Sequence, residues 1–147
     1  MNSPTYTLSQ PNPNIFTFQS IGKKGIVTKA VVFQYVGNGL YNLALLDREE
    51  RSNSWSDKSN SNNGDLAKVM ATVARIIIVF LENHPQATIY IEANSKSRNT
   101  LYHRILRNYH EIFASNLIVD ASANGIIEAF HVDKDYDFFY IRKKEME

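Results

Sequence analysis

Residues 65–93 read DLAKVMATVARIIIVFLENHPQATIYIEA, and this stretch decides the architecture. Between Leu66 and Leu81 the clearly polar positions are Lys68, Thr72 and Arg75. They fall at i, i+4 and i+7 and form one narrow stripe. The remaining positions are apolar, so the spacing predicts a helix buried nearly all round. Asp65 stands at the N-cap position, and Asn83-His84-Pro85 stops the helix. Thr88 to Ala93 is then apolar except for Glu92, the pattern of a strand buried in the middle of a sheet. A strand reached through a helix can lie parallel to the strand that precedes it.

Upstream, Leu40 to Leu46 reads as that preceding strand. Ile15–Ile21 and Ile26–Tyr35, joined by Gly22-Lys23-Lys24-Gly25, read as a hairpin. Gly37-Asn38-Gly39 turns the chain into Leu40, so three antiparallel strands form a meander. Residues 1–14 hold three of the four prolines, Pro4, Pro11 and Pro13. They suit an extended arm, with a short edge strand expected at Tyr6–Leu8. Downstream, Asn94 to Ser97 starts a second helix. Leu101, Tyr102, Ile105, Leu106, Tyr109, Ile112 and Phe113 keep one apolar face along it, which assigns His103, Arg104, Arg107 and His110 to its outer faces. Leu117–Val119, Gly125–His131 and Tyr136–Arg142 complete the chain as strands. The order βββ-α-β-α-βββ gives an α+β domain over residues 1–147, with two main helices on a mixed, mostly antiparallel sheet.

Residues 47–63 interrupt this pattern. Nine of the twelve residues from Ser52 to Asn63 are Ser or Asn, and Trp55 is the one large apolar side chain. The composition predicts a long polar loop, of the kind that is functional or disordered. Trp55 either tucks back onto the core or stacks on a ligand.

The chain has 147 residues, 44% hydrophobic, with 16 Lys and Arg against 15 Asp and Glu. A formal charge of +1 excludes a strongly basic nucleic-acid wrapper. The absence of cysteine excludes disulfides, thiolate metal sites and thiol nucleophiles. The longest apolar run, Ile76 to Leu81, is far short of the roughly 20 residues that cross a bilayer. The N-terminal stretch has no secretory pattern. These features lead us to expect a cytoplasmic protein without a membrane or disulfide-linked partner.

Chemistry-bearing residues are sparse. His103 and His110 are seven apart, too far for one metal ion on a helix, and no HExxH occurs, so no metal site is expected. Walker, GxGxxG and GxSxG motifs are absent. The second helix start, Ser95-Lys96-Ser97-Arg98, combines free amides, two hydroxyls and two cations, a fit for an anion. Arg98 lies on the inward side of that helix and either pairs with Glu92 or Asp47 or grips the anion. Asn62-Asn63-Gly64-Asp65 is a second possible cradle. Lys23, Lys24, Lys29, Lys96, Arg98, Arg104 and Arg107 are scattered cations, read as a solvated surface in preference to a nucleic-acid face.

The segments YNLALLD, SNNGDLAKVMATVARIIIVFLENHP, IYIEA, NSKSRNTLYHRI and YDFFYIRKK together resemble a family of small bacterial proteins of unknown function, found mostly in Bacteroidetes. The resemblance spans nearly the whole chain and implies no established activity. The chain order is also similar to the latter part of the GNAT N-acetyltransferase fold. In that family N-x-x-A-x-x-L-Y follows the fifth strand, and Ser95, Arg98, Leu101 and Tyr102 occupy that spacing here. The resemblance implies acetyl-CoA as ligand and Tyr102 as proton donor to the thiolate. Asp47 or Glu92 would be the base. Backbone amides at Asn63 and Gly64 would hold pyrophosphate, with Ser95, Ser97 and Arg98 close by. The loop Ser61–Leu66 has one glycine where that family has two small residues, and the family's N-terminal strand and two helices are missing. Against this stand two plainer readings: Tyr102 as an ordinary member of its helix's apolar stripe, and the whole protein as a non-enzymatic module for a protein or nucleic-acid partner.

Overall fold

The computed structural model describes residues 4–49, 54–56, 63–92 and 96–145. The chain runs β1 (Ser9–Asn12), β2 (Ile15–Gly22), β3 (Gly25–Gly37), β4 (Leu40–Glu49), β5 (Ser54–Ser56), α1 (Leu66–Asn83), β6 (Thr88–Glu92), α2 (Lys96–Asn108), α3 (His110–Asn116), β7 (Leu117–Ala123), β8 (Ile126–Ala129) and β9 (Phe138–Lys143). The strands make one sheet in the order β1-β2-β3-β4-β6-β9-β7-β8, with β5 added to β4. Every pairing is antiparallel except β4 with β6. This is the α+β class that the periodicity predicts, with three helices among the described residues where two were expected.

Alternation along the strands sorts the side chains into two faces. Phe16 and Phe18, Val31 and Phe33, Leu43 and Leu45, Ile89 and Ile91, and Phe139 and Ile141 point to one face. They share a core with Val73, Ile76, Ile77 and Phe80 of α1 and Tyr102, Ile105 and Leu106 of α2. The residues between them, among them Val32, Leu40, Leu46, Tyr90, Ile118, Phe138 and Tyr140, point to the other face and pack on no part of that core. Among the described residues, all the helical packing is thus on one side of the sheet.

The N-terminal arm departs from expectation. Its strand lies at Ser9–Asn12, not Tyr6–Leu8, and Tyr6 is buried. The arm crosses the polar stripe of α1. The Tyr6 amide donates to Thr72 Oγ1 at 3.0 Å, Lys68 Nζ sits 4.3 Å above the Tyr6 ring, and Arg75 reaches Thr5. The narrow polar stripe is therefore the seat of the arm.

Three more expectations are corrected. The third strand of the meander does not stop at Leu46. Asp47 stays in the ladder opposite Lys29, β4 continues to Glu49, and β5 pairs back on it. This takes part of the expected 47–63 loop into the sheet; residues 50–53 and 57–62 lie outside the described set. Trp55 does not enter the core, because β5 turns it to the helix-free face beside Arg48, 44% exposed. His103 is buried rather than on an outer face, because the segment linking β8 to β9 folds over α2. Its Nε2 donates to the Lys134 carbonyl at 2.6 Å and its Nδ1 accepts from Arg107 at 2.6 Å. The two partners fix the Nε2–H tautomer.

Candidate functional site

The carboxyl end of the parallel pair is where the buried polar groups collect. Ser20, Lys29, Asp47 and Asn63 are all buried there, four of the seven buried polar residues described. The β2–β3 turn at Gly22–Gly25, the start of α1 and the end of β4 meet at this end. The start of α2 follows three residues after β6 and so begins near it. In sheets with parallel strands, ligands favour the carboxyl ends of those strands.

Two latches hold this end together. Asn63 Nδ2 donates to the Ser20 and Gly25 carbonyls, its Oδ1 accepts from the Lys24 amide, and its carbonyl accepts from the Lys23 amide. The approach is close enough that a Cβ on Gly22 would lie 1.8 Å from the Asn63 carbonyl oxygen. Gly64 follows with φ of 80°, which favours glycine. Asp65 makes no side-chain cap on α1, which corrects its expected role. Its carboxylate instead accepts from the Tyr6 hydroxyl and from Ser20 Oγ, both at 2.5 Å. Burial first, and the bond to Asp65 second, raise the Tyr6 hydroxyl above its ordinary value.

Deeper on the helix side, Lys29 Nζ meets Asp47 Oδ1 at 2.7 Å. Lys29 is a buried residue of this end that sequence reasoning placed among the surface cations. Its signal was its place in the alternation, two residues before Val31 and four before Phe33 on the core-facing side. Two residues back along β4 from Asp47, the Leu45 amide donates to the Tyr102 hydroxyl at 3.3 Å. This amide is not taken by β6, because β4 and β6 pair only at Leu40–Thr88, Tyr41–Ile89 and Asn42–Tyr90. Beyond Asn42 the two strands part, and β5 takes the same edge of β4 from Asp47 on; this leaves a short wedge at residues 43–46, with Tyr102 reaching across to β4.

The structure therefore brings Tyr102 and Asp47 to the same strand and the same face. Glu92 is not brought to them. It follows Ile91, which is in the core, so the two-residue period turns Glu92 to the opposite, helix-free face, where it is exposed opposite Phe138. Ser95 lies outside the described residues, as do the side chains of Ser97 and Arg98, whose backbone forms the first turn of α2. Asn63 and Gly64 are near the start of α1, with the Asn63 side chain committed to the hairpin. None of the buried side-chain polar atoms among the described residues lacks a partner. Nor, among them, do three His, Asp or Glu side chains gather as a metal site.

A sequence profile of a protein family matches residues 2–144. The chain belongs to DUF6934, a family of unknown function. No curated protein and no solved structure matches it. Among the described residues of this DUF6934 chain, no helix is long and apolar enough to cross a membrane.

Proposed function

We propose that this DUF6934 protein binds an acyl-CoA in the wedge between β4 and β6, as an acetyltransferase-like domain. The observation that carries the reading is the parting of the two parallel strands after Asn42–Tyr90, with a backbone amide of β4 held by a side-chain hydroxyl. At such a wedge an extended ligand that displaces the Tyr102 hydroxyl from the Leu45 amide gains a strand donor, and the pantetheine arm of CoA carries the amides to take it. The amides at the starts of α1 and α2 lie at the same end, where phosphates are favoured. The chain order on which the acetyltransferase resemblance rests, three antiparallel strands, helix, parallel strand, helix and strand, supports it as well.

The site favours binding over transfer. With Glu92 on the other face, Asp47 is the remaining candidate base, and its carboxylate is already tied to Lys29. A base must reach the proton that it removes, and here it would first leave a buried partner. Tyr102 remains the candidate proton donor.

Thermal-shift titration with CoA and acetyl-CoA, with ATP as the polyphosphate control, tests the reading. A ligand at 100 times its dissociation constant adds about 2.7 kcal/mol, a rise of several degrees at this size. A shift with CoA and none with ATP is expected; no shift at millimolar CoA removes the proposal. The second reading, a binding module for a protein partner, draws on a separate observation, the sheet face without helices.

A further inference from the structure

We infer that the helix-free face of the sheet is a homodimer interface, with a second copy of this chain as its occupant. The face carries Ile21, Ile26, Trp55 and Ile127, each at least 44% exposed. Between them lies an aromatic centre in which Tyr90 stacks on Phe138 at 5.6 Å and meets Tyr140 at 5.5 Å. Large rings with polar tips on an uncovered sheet are groups that interfaces enrich. The inference is independent of CoA binding, which concerns the other side of the sheet.

The registers give the reason for choosing a second copy over another partner. Across the face, one row runs Gln34, Asn42, Tyr90, Tyr140, Asp120 and Ala129. A two-fold axis parallel to the strands, passing between β6 and β9, exchanges the two halves of this row. Tyr90 then faces Tyr140, and Asn42 offers its amide to Asp120. In the neighbouring rows the same operation sets Leu40 against Ile118 and Val32 against Ile127, apolar against apolar, and Arg142 against Thr88. Glu92 meets Phe138, and no two like charges oppose each other. Placing the axis across the strands instead would set Asp120 against its own copy. Each of these contacts occurs twice in the dimer, once from each copy, as in any isologous interface. Two sheets stacked this way lie about 10 Å apart with their strands offset by roughly 30°.

Sedimentation velocity on the full chain at high micromolar concentration tests the proposal. The expected mass is twice the 16.8 kDa of one chain. Ile127→Lys at the margin and Tyr140→Lys at the centre should each raise the dimer dissociation constant by tenfold or more. Ile127 is 63% exposed, so its variant keeps the monomer folded by circular dichroism. The chain has no native cysteine, so a Val32→Cys/Ile127→Cys variant, treated with a bis-maleimide spanning about 10 Å, should yield a covalent dimer. Either single-cysteine variant should not. A mass of one chain at all concentrations overturns the proposal and leaves the face to a different partner. A dimer that survives both lysine variants, or that gives no cross-link with the cysteine pair, also overturns it.

Discussion

Lys29 Nζ lies 2.7 Å from Asp47 Oδ1 across the β3–β4 ladder, with both side chains at least nine-tenths buried. Removing one partner of such a pair strands the other charge, at a cost of about 3–5 kcal/mol, whereas replacing both with apolar groups is often neutral. Lys29→Met should therefore lower the urea midpoint sharply. Lys29→Met/Asp47→Leu should be more stable than either single variant. A double variant destabilised by the sum of the two single variants would show that the two residues do not act as a couple.

Gly22 and Asn63 form the second test of this end of the domain. The Asn63 carbonyl occupies the space of a Gly22 Cβ, and its side chain satisfies the hairpin at several points. Asn63→Ala leaves buried backbone groups without partners, each a loss of about 1–3 kcal/mol. Gly22→Ala should be at least as destabilising, since a backbone atom and not a flexible side chain must move. Proteolysis between residues 50 and 63 should be faster in both variants. An unchanged cleavage rate would mean that the latch does not hold the start of α1.

What the sequence makes legible is what depends on one element at a time. The Lys68-Thr72-Arg75 stripe reveals a helix, the Ile89–Ile91 alternation reveals a buried strand, and the helix between β4 and β6 makes their parallel pairing readable. What depends on a second element is hidden. The Tyr6 segment that covers the stripe is 66 residues from Thr72. Lys29 reads as a surface cation until Asp47 is placed opposite it. His103 is buried by a segment that arrives after two further strands. Asn63 reads as part of an anion cradle until the β2–β3 turn is placed against its side chain. Glu92 is a different case: the two-residue period that buries Ile91 already turns it away from Tyr102.

Stability should fall at alkaline pH. Burial first, then hydrogen bonding to a carboxylate, raises both Tyr6 and Tyr136 above 10.0. The folded state then holds these protons more tightly than the unfolded chain does. Their contribution is fully present below pH 10.0 and is lost as pH rises through the folded-state values. Urea midpoints measured from pH 8 to 11 should decline, with a shallower slope in Tyr6→Phe. A slope identical to that of the parent would exclude Tyr6 as a source. On the acid side Glu128 acts in the opposite sense. The Lys134 hydrogen bond, and then that from Tyr136, lower it below 4.5, so its contribution is present above that pH and fades as pH falls.

The wedge makes the sharpest prediction for a single amide. Leu45 N–H has its acceptor in the Tyr102 hydroxyl, at the place where β6 no longer runs beside β4. Tyr102→Phe keeps the ring in the core and removes the hydroxyl that accepts from Leu45. The loss should be about 1–3 kcal/mol, the penalty for a buried donor left alone. It should also be local: hydrogen exchange at Leu45 should accelerate beyond the global change. Val31, in the middle of β3 with antiparallel neighbours on both sides, should follow the global change alone. Equal acceleration at both amides would mean that the hydroxyl supports the core as a whole. Protection that persists at Leu45 would mean that another group takes its proton and that the wedge is narrower than the pairing indicates.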